Sequence, residues 1–179
     1  PVSEKPGAGD LRENSGRPSG VTPALTACRM TDSESRERSV FITGEEFCLE
    51  VEYSCDDNAK LSGAAMRILS PDGALLGRLN TFMYSRPPHR IPPKGKIRFR
   101  LPELPLCPGD YLVTLVLIDD GDNAYDLVST AIAFTVQPSR HPAGTGYVLG
   151  PWDGFYLLKG SYEIDTREPT ADLGRSQLG

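Results

Sequence analysis

From residue 21 onward the chain places apolar side chains at every second position, and this period commits it to β-strands. The clearest run is Phe47, Leu49, Val51 and Tyr53, alternating with Cys48, Glu50 and Glu52. A strand written this way buries one face and leaves the other wet. Ala64, Met66 and Ile68 form a second inward set with Arg67 outward. Ile97, Phe99 and Leu101 form a third, against Lys96, Arg98 and Arg100. Residues 111–118 are apolar on both faces, as a covered central strand requires. Ile132, Phe134 and Val136 mark a later strand, and Leu25, Cys28 and Met30 an early one with an irregularity near its start. No long segment repeats at helical spacing.

Between these runs stand turn residues with defined jobs. In Ser70-Pro71-Asp72-Gly73, proline presets φ, aspartate bonds its own backbone and glycine supplies positive φ, so residues 74–80 return as a hairpin. Thr43-Gly44 is another turn, and residues 119–123 form an acidic one. Residues 82–95 hold Pro87, Pro88, Pro92 and Pro93, which lack ladder donors, so this stretch is predicted to be a long loop. Short strands with turn signals every 8–12 residues predict an all-β fold, an immunoglobulin-like or jelly-roll antiparallel β-sandwich.

With 179 residues the chain suits one domain with polar ends. Residues 1–20 read as a flexible linker, 21–164 as the sandwich and 165–179 as a flexible tail, because the ends carry too little apolar surface to offset their ordering entropy. A net charge of -5 argues against nucleic acid as a partner. Cys28, Cys48, Cys55 and Cys107 form no CxxC pair and have no histidine at ligand spacing, so no metal is expected and free thiols are preferred. His89 and His141 each neighbour a proline and read as loop residues, not as a catalytic pair. No cofactor is implied.

Recognition chemistry is better represented. By the strand parity Arg67, Arg78, Asn80, Arg98 and Arg100 face outward. Planar guanidinium and amide groups offer the paired donors that sugar hydroxyls accept. Tyr84 in the proline-rich loop and Tyr125 beside the acidic turn could each stack on a pyranose, and Asp126 could accept hydroxyl protons. The competing readings are a solvated sheet face, tyrosines capping the sandwich end, and an aspartate closing a turn. Trp152, Phe155, Tyr156 and Tyr162 form a late aromatic block, expected to dock in the core or across a dimer.

The order of several short motifs adds a resemblance. Phe41-x-Thr43-Gly44-Glu45 precedes an alternating strand ending at Tyr53, followed by Asp72-Gly73 and Gly77-x-x-Asn80-Thr81. Residues 101–106 read Leu-Pro-Glu-Leu-Pro-Leu, and Pro108-Gly109-x-Tyr111 and Tyr125-Asp126 follow. Over about residues 21–155 this resembles the C-terminal domain of Wzt, the ATP-binding subunit of O-antigen (lipopolysaccharide) ABC transporters. The resemblance implies a non-catalytic carbohydrate-binding module that recognises the terminus of a lipid-linked O-antigen polysaccharide and selects it for export. It further implies a homodimer, in some members strand-exchanged, and an ATPase domain and a transporter membrane subunit as partners in the full polypeptide. The location implied is cytoplasmic, peripheral to the inner membrane, with residues 1–20 as the linker from the ATPase. No GxxxxGK[ST] P-loop occurs in the chain, so ATP hydrolysis is not assigned to it. The alternatives are a ligand-free structural or protein-interaction sandwich and a glycan hydrolase.

Overall fold

The computed structural model describes residues 7–19, 21–83 and 90–158. Among these residues nine strands form two sheets: β1 (Ala8–Asp10), β2 (Leu25–Thr31), β3 (Val40–Ile42), β4 (Phe47–Ser54), β5 (Leu61–Leu69), β6 (Leu75–Asn80), β7 (Lys94–Leu101), β8 (Gly109–Asp119) and β9 (Ala124–Gln137). One sheet has the order β1-β2-β4-β7 and the other β3-β9-β8-β5-β6. The pairs are antiparallel except β3 with β9, which run parallel. The sandwich expected from the alternation is therefore present, with β8 as the central, doubly covered strand. The irregularity read near Leu25 is a register shift between Leu25 and Ala27.

Alternation builds the core directly. Phe47, Leu49, Val51 and Tyr53 of β4 meet Ala64, Met66 and Ile68 of β5 and Val113, Leu115 and Leu117 of β8 between the sheets. At one end Phe41, Phe47, Phe134 and Tyr111 form an aromatic cluster with neighbouring centroids 5.0–5.9 Å apart. Tyr111 donates its hydroxyl to Cys107 O at 2.6 Å, a bond reaching back four residues like the tyrosine corner of immunoglobulin domains. Burial pushes that hydroxyl up to about 12.

The quoted motifs prove to be joints. Thr43 Oγ1 donates to Leu106 O at 2.7 Å, Gly44 N to Leu104 O at 2.8 Å, and Leu104 N to Glu45 O at 2.8 Å. Gly44 adopts φ +87°, which favours glycine. The Thr43-Gly44-Glu45 turn and residues 104–106 thus lock together. Thr81 Oγ1 accepts Ala64 N at 3.2 Å, where a side chain on Gly63 would collide with it.

Three expectations need correction. Residues 8–17 are not an unattached linker: Ala8–Asp10 pairs with β2, and Leu11 is 0% exposed in the core. With only Ala8 and Leu11 apolar and no alternation, this stretch carries no strand signal. Tyr125 belongs to β9, which starts at Ala124, well before the Ile132 that marks this strand in the sequence. Trp152 is 75% exposed, so of its two expected places, the core or a dimer contact, it does not take the first; Leu149 nearby is buried. Tyr84 and Tyr162 lie outside the described residues.

Candidate functional site

The eight candidate residues do not share one surface. Arg98 and Arg100 lie on the outer face of the four-stranded sheet, where Arg98 pairs in register with Glu50 and Arg100 with Cys48. Arg67, Arg78 and Asn80 lie on the outer face of the opposite sheet, with Arg67 opposite Arg78 and Ala65 opposite Asn80. Strand parity orients each side chain outward but does not say which sheet it belongs to.

Edge strands reunite four of them. β6 closes one sheet and β7 the other, and neither has a further partner on its outer side among the described residues. The gap between these edges is a groove of about 510 Å³ lined by Leu79, Asn80, Ile97, Arg98, Phe99 and Arg100, among others. A smaller hollow of about 230 Å³ adjoins it through the shared Leu79 and Leu101, and adds Arg78, Glu103 and Tyr156. The lining is apolar along Leu79, Phe99 and Leu101, with polar groups at Asn80, Arg98, Arg100 and Arg78. That combination suits a sugar ring, whose C–H faces are apolar and whose edges carry hydroxyls.

The polar groups are held in different ways. Asn80 Oδ1 accepts Met83 N at 2.9 Å, capping the 3-10 turn Thr81–Met83, and its amide nitrogen takes no partner among the described residues. Arg98 donates Nε to Glu50 Oε1 at 3.0 Å, and its Nη2 also bonds that oxygen. Glu50 Oε2 accepts from Arg29 Nη2 at 2.6 Å. The hydrogen bonds from Arg29 and Arg98 hold the Glu50 carboxyl down at about 2, against the pull of burial. Arg100 bonds Glu46 and lowers that carboxyl likewise. Arg98 and Arg100 are thus braced as well as exposed, whereas Arg67 and Arg78 have no ion pair among the described residues.

Asp126 is corrected outright. It is 0% exposed and accepts from Arg17 Nε at 2.8 Å and from the Ala24 and Leu25 amides, both at 2.8 Å. Burial pulls its pKa upward, and the Arg17 fork with the two amides more than offsets this, leaving it below the ordinary value. It is out of reach of any saccharide. Tyr125 is half-buried against the core, next to Cys55. In the acidic turn, Asp119 Oδ1 accepts from the Gly121 and Asn123 amides at 2.9 and 2.8 Å, an Asx-type closure. The four cysteines are free thiols, and burial raises Cys28 to about 12.

Comparison with known proteins bears on this geometry. The family model described as the Wzt C-terminal domain matches residues 24–149, more than half of the chain. The chain belongs to the Wzt C-terminal domain family. A solved structure titled "Crystal structure of the C-terminal domain of wzt" superposes with a TM-score of 0.61 at 18% identity, covering 89% of this chain and 92% of that one. At that identity the likeness speaks for the fold. No curated protein matches the chain. No helix among the described residues is long and apolar enough to cross a membrane. The family match begins at Ala24, so in this Wzt C-terminal domain β1 and Arg17 lie outside the matched stretch while β6 and β7 lie within it.

Two groups escaped the sequence reading. Glu50 was visible only as an outward acid on β4, and its cations are distant in sequence. Arg17 stood in a segment taken as linker.

Proposed function

We propose that this domain is a non-catalytic carbohydrate-binding module that takes the terminus of a lipid-linked O-antigen polysaccharide and selects it for export by an ABC transporter. The observation that carries the reading is the β6–β7 groove, where an apolar strip runs between Asn80, Arg78, Arg98 and Arg100. Recognition there needs no chemistry: braced guanidiniums donate to hydroxyls, the free Asn80 amide donates beside them, and the strip accepts a ring face. Net gain per hydroxyl is small, because water bonds are exchanged for protein bonds, so affinity is modest. Membership of the Wzt C-terminal family supports the substrate class.

In the same reading an ATPase domain precedes residue 1 in the full polypeptide, a membrane subunit receives the selected glycan, and the domain works at the cytoplasmic side of the inner membrane. A homodimer is part of it. Tyr147, Val148, Trp152, Phe155 and Leu158 are all exposed on a segment tied to residues 105–107 by backbone bonds, including Cys107 N to Phe155 O at 3.0 Å. Such a row of large apolar side chains fits a second copy.

The test is calorimetric titration of the folded domain with delipidated O-polysaccharide from the producing strain, using Asn80→Asp as the probe. This change keeps the acceptor that caps Met83 N and removes the amide donors. Binding by the parent and at least several-fold weaker binding by the variant are expected. A folded domain that binds nothing at millimolar glycan would leave the ligand-free structural role in its place.

A further inference from the structure

We infer that residues 7–19 form a latch, bolted by Arg17 into Asp126, that fixes how the preceding chain enters the domain and releases as one unit when the bolt is drawn. The inference holds whatever the β6–β7 groove binds.

The segment is fastened to both sheets. Gly7 O accepts Met30 N at 2.7 Å, and Gly7 is packed so closely that a Cβ there would stand 2.8 Å from Arg38 O. Gly9 pairs in register with Cys28, and Leu11 N donates to Thr26 O at 3.0 Å while its side chain enters the core. The chain then crosses to β9 of the other sheet. Asn14 Nδ2 donates to Thr130 O at 3.1 Å, and Ser129 N donates to Gly16 O at 3.0 Å.

Arg17 closes the strap. Its Nε and Nη2 fork onto the two Asp126 oxygens at 2.8 and 3.0 Å. Nη2 also donates to Leu25 O at 2.6 Å, and Nη1 bonds Leu11 O within the strap itself. Arg17 and Asp126 side chains are 7% and 0% exposed. One guanidinium therefore ties the strap to itself, to β2 and to β9, 109 residues away. A bidentate pair shielded from water makes a strong single fastening.

The rest of the attachment is slight: a three-residue edge strand, one core leucine, and the hydrogen bonds of Asn14 and Gly16 to β9. Elements with so little burial open below the global unfolding free energy. Two consequences follow from the geometry. While latched, the chain enters beside Arg38, roughly 20 Å along β2 from where it would enter if residue 24 were the start, taking about 3.3 Å per strand residue. The strap also walls a cleft of about 490 Å³ on the outer sheet face, with Ala8, Gly9, Asp10 and Arg12 facing Arg29, Glu50 and Lys96. Drawing the bolt removes that wall and bares the β2 edge.

The experiment is amide relaxation and hydrogen exchange by NMR on the full 179-residue chain and on Arg17→Gln. In the parent, residues 8–17 are expected to be as ordered as β4, with order parameters near 0.85. In Arg17→Gln they are expected to fall below about 0.6 and to lose exchange protection at least 100-fold, with β4 and β8 unchanged. Disorder of residues 8–17 in the parent, or undiminished order in the variant, would overturn the latch. Should the variant fail to fold, native-state exchange of the parent in rising denaturant decides. Residues 8–17 opening together before β4 and β8 supports it, and opening only with them overturns it.

Discussion

Arg67 and Arg78 stand directly opposite each other across β5 and β6, two guanidiniums on one sheet face with no acidic partner among the described residues. Like charges in register cost stability. Removing one should therefore help the fold: Arg67→Gln is expected to raise unfolding free energy by about 0.2–1 kcal/mol, read from urea denaturation. If Arg78 serves the groove, Arg78→Gln gives the same gain but weakens polysaccharide binding. A loss of stability in both variants would mean that the guanidiniums pack more than they repel.

Arg98 should behave in the opposite way. It shares Glu50 with Arg29, and Glu50 is only 4% exposed. Arg98→Ala leaves that carboxylate with fewer donors and is expected to cost about 1–2 kcal/mol, a figure kept low because the Arg98 side chain is itself largely exposed. Arg98 is consequently a poor probe of ligand binding, and Asn80→Asp a better one. Equal stability of Arg98→Ala and parent in thermal melts would show that Arg29 alone suffices.

The acid limb of stability follows from the same group. Arg29 and Arg98 depress Glu50 from its ordinary 4.5 to about 2. A lowered folded-state pKa contributes stability that is complete above the unfolded value and lost as pH falls through the folded one. Stability should thus decline between about pH 5 and pH 2, and Glu50→Gln should flatten that decline while lowering stability at neutral pH. Carbon-detected NMR titration of Glu50 checks it directly; a midpoint near 4.5 would contradict the pairing.

Trp152 separates folding from association. Exposed as it is, Trp152→Ala should change monomer stability by less than about 0.5 kcal/mol, the usual range for surface changes. If the proposed homodimer uses this face, sedimentation velocity should show a shift from dimer toward monomer. A dimer as strong as the parent's would move the interface elsewhere.

The fold was legible because its signal is local. Phe47, Leu49, Val51 and Tyr53 declare their inward face by spacing alone, and Asp72-Gly73 declares its turn by the φ of +87° that glycine supplies. The site was legible only in part, because it depends on which strands end as edges. Nothing local tells Arg98 that β7 borders one sheet, or Asn80 that β6 borders the other. Asp126 misled for a related reason: its partner Arg17 lies in a segment whose pairing with β2 and β9 is set by backbone bonds and one ion pair, not by apolar periodicity.

The groove between β6 and β7 is tested most directly by mapping amide shifts of the labelled domain during titration with its O-polysaccharide. Concentration-dependent shifts are expected at residues 77–81 and 97–101, with the outer face near Ala8 and Asp10 silent. Saturable binding whose shifts fall on other strands, with residues 77–81 and 97–101 unmoved, would contradict the assignment.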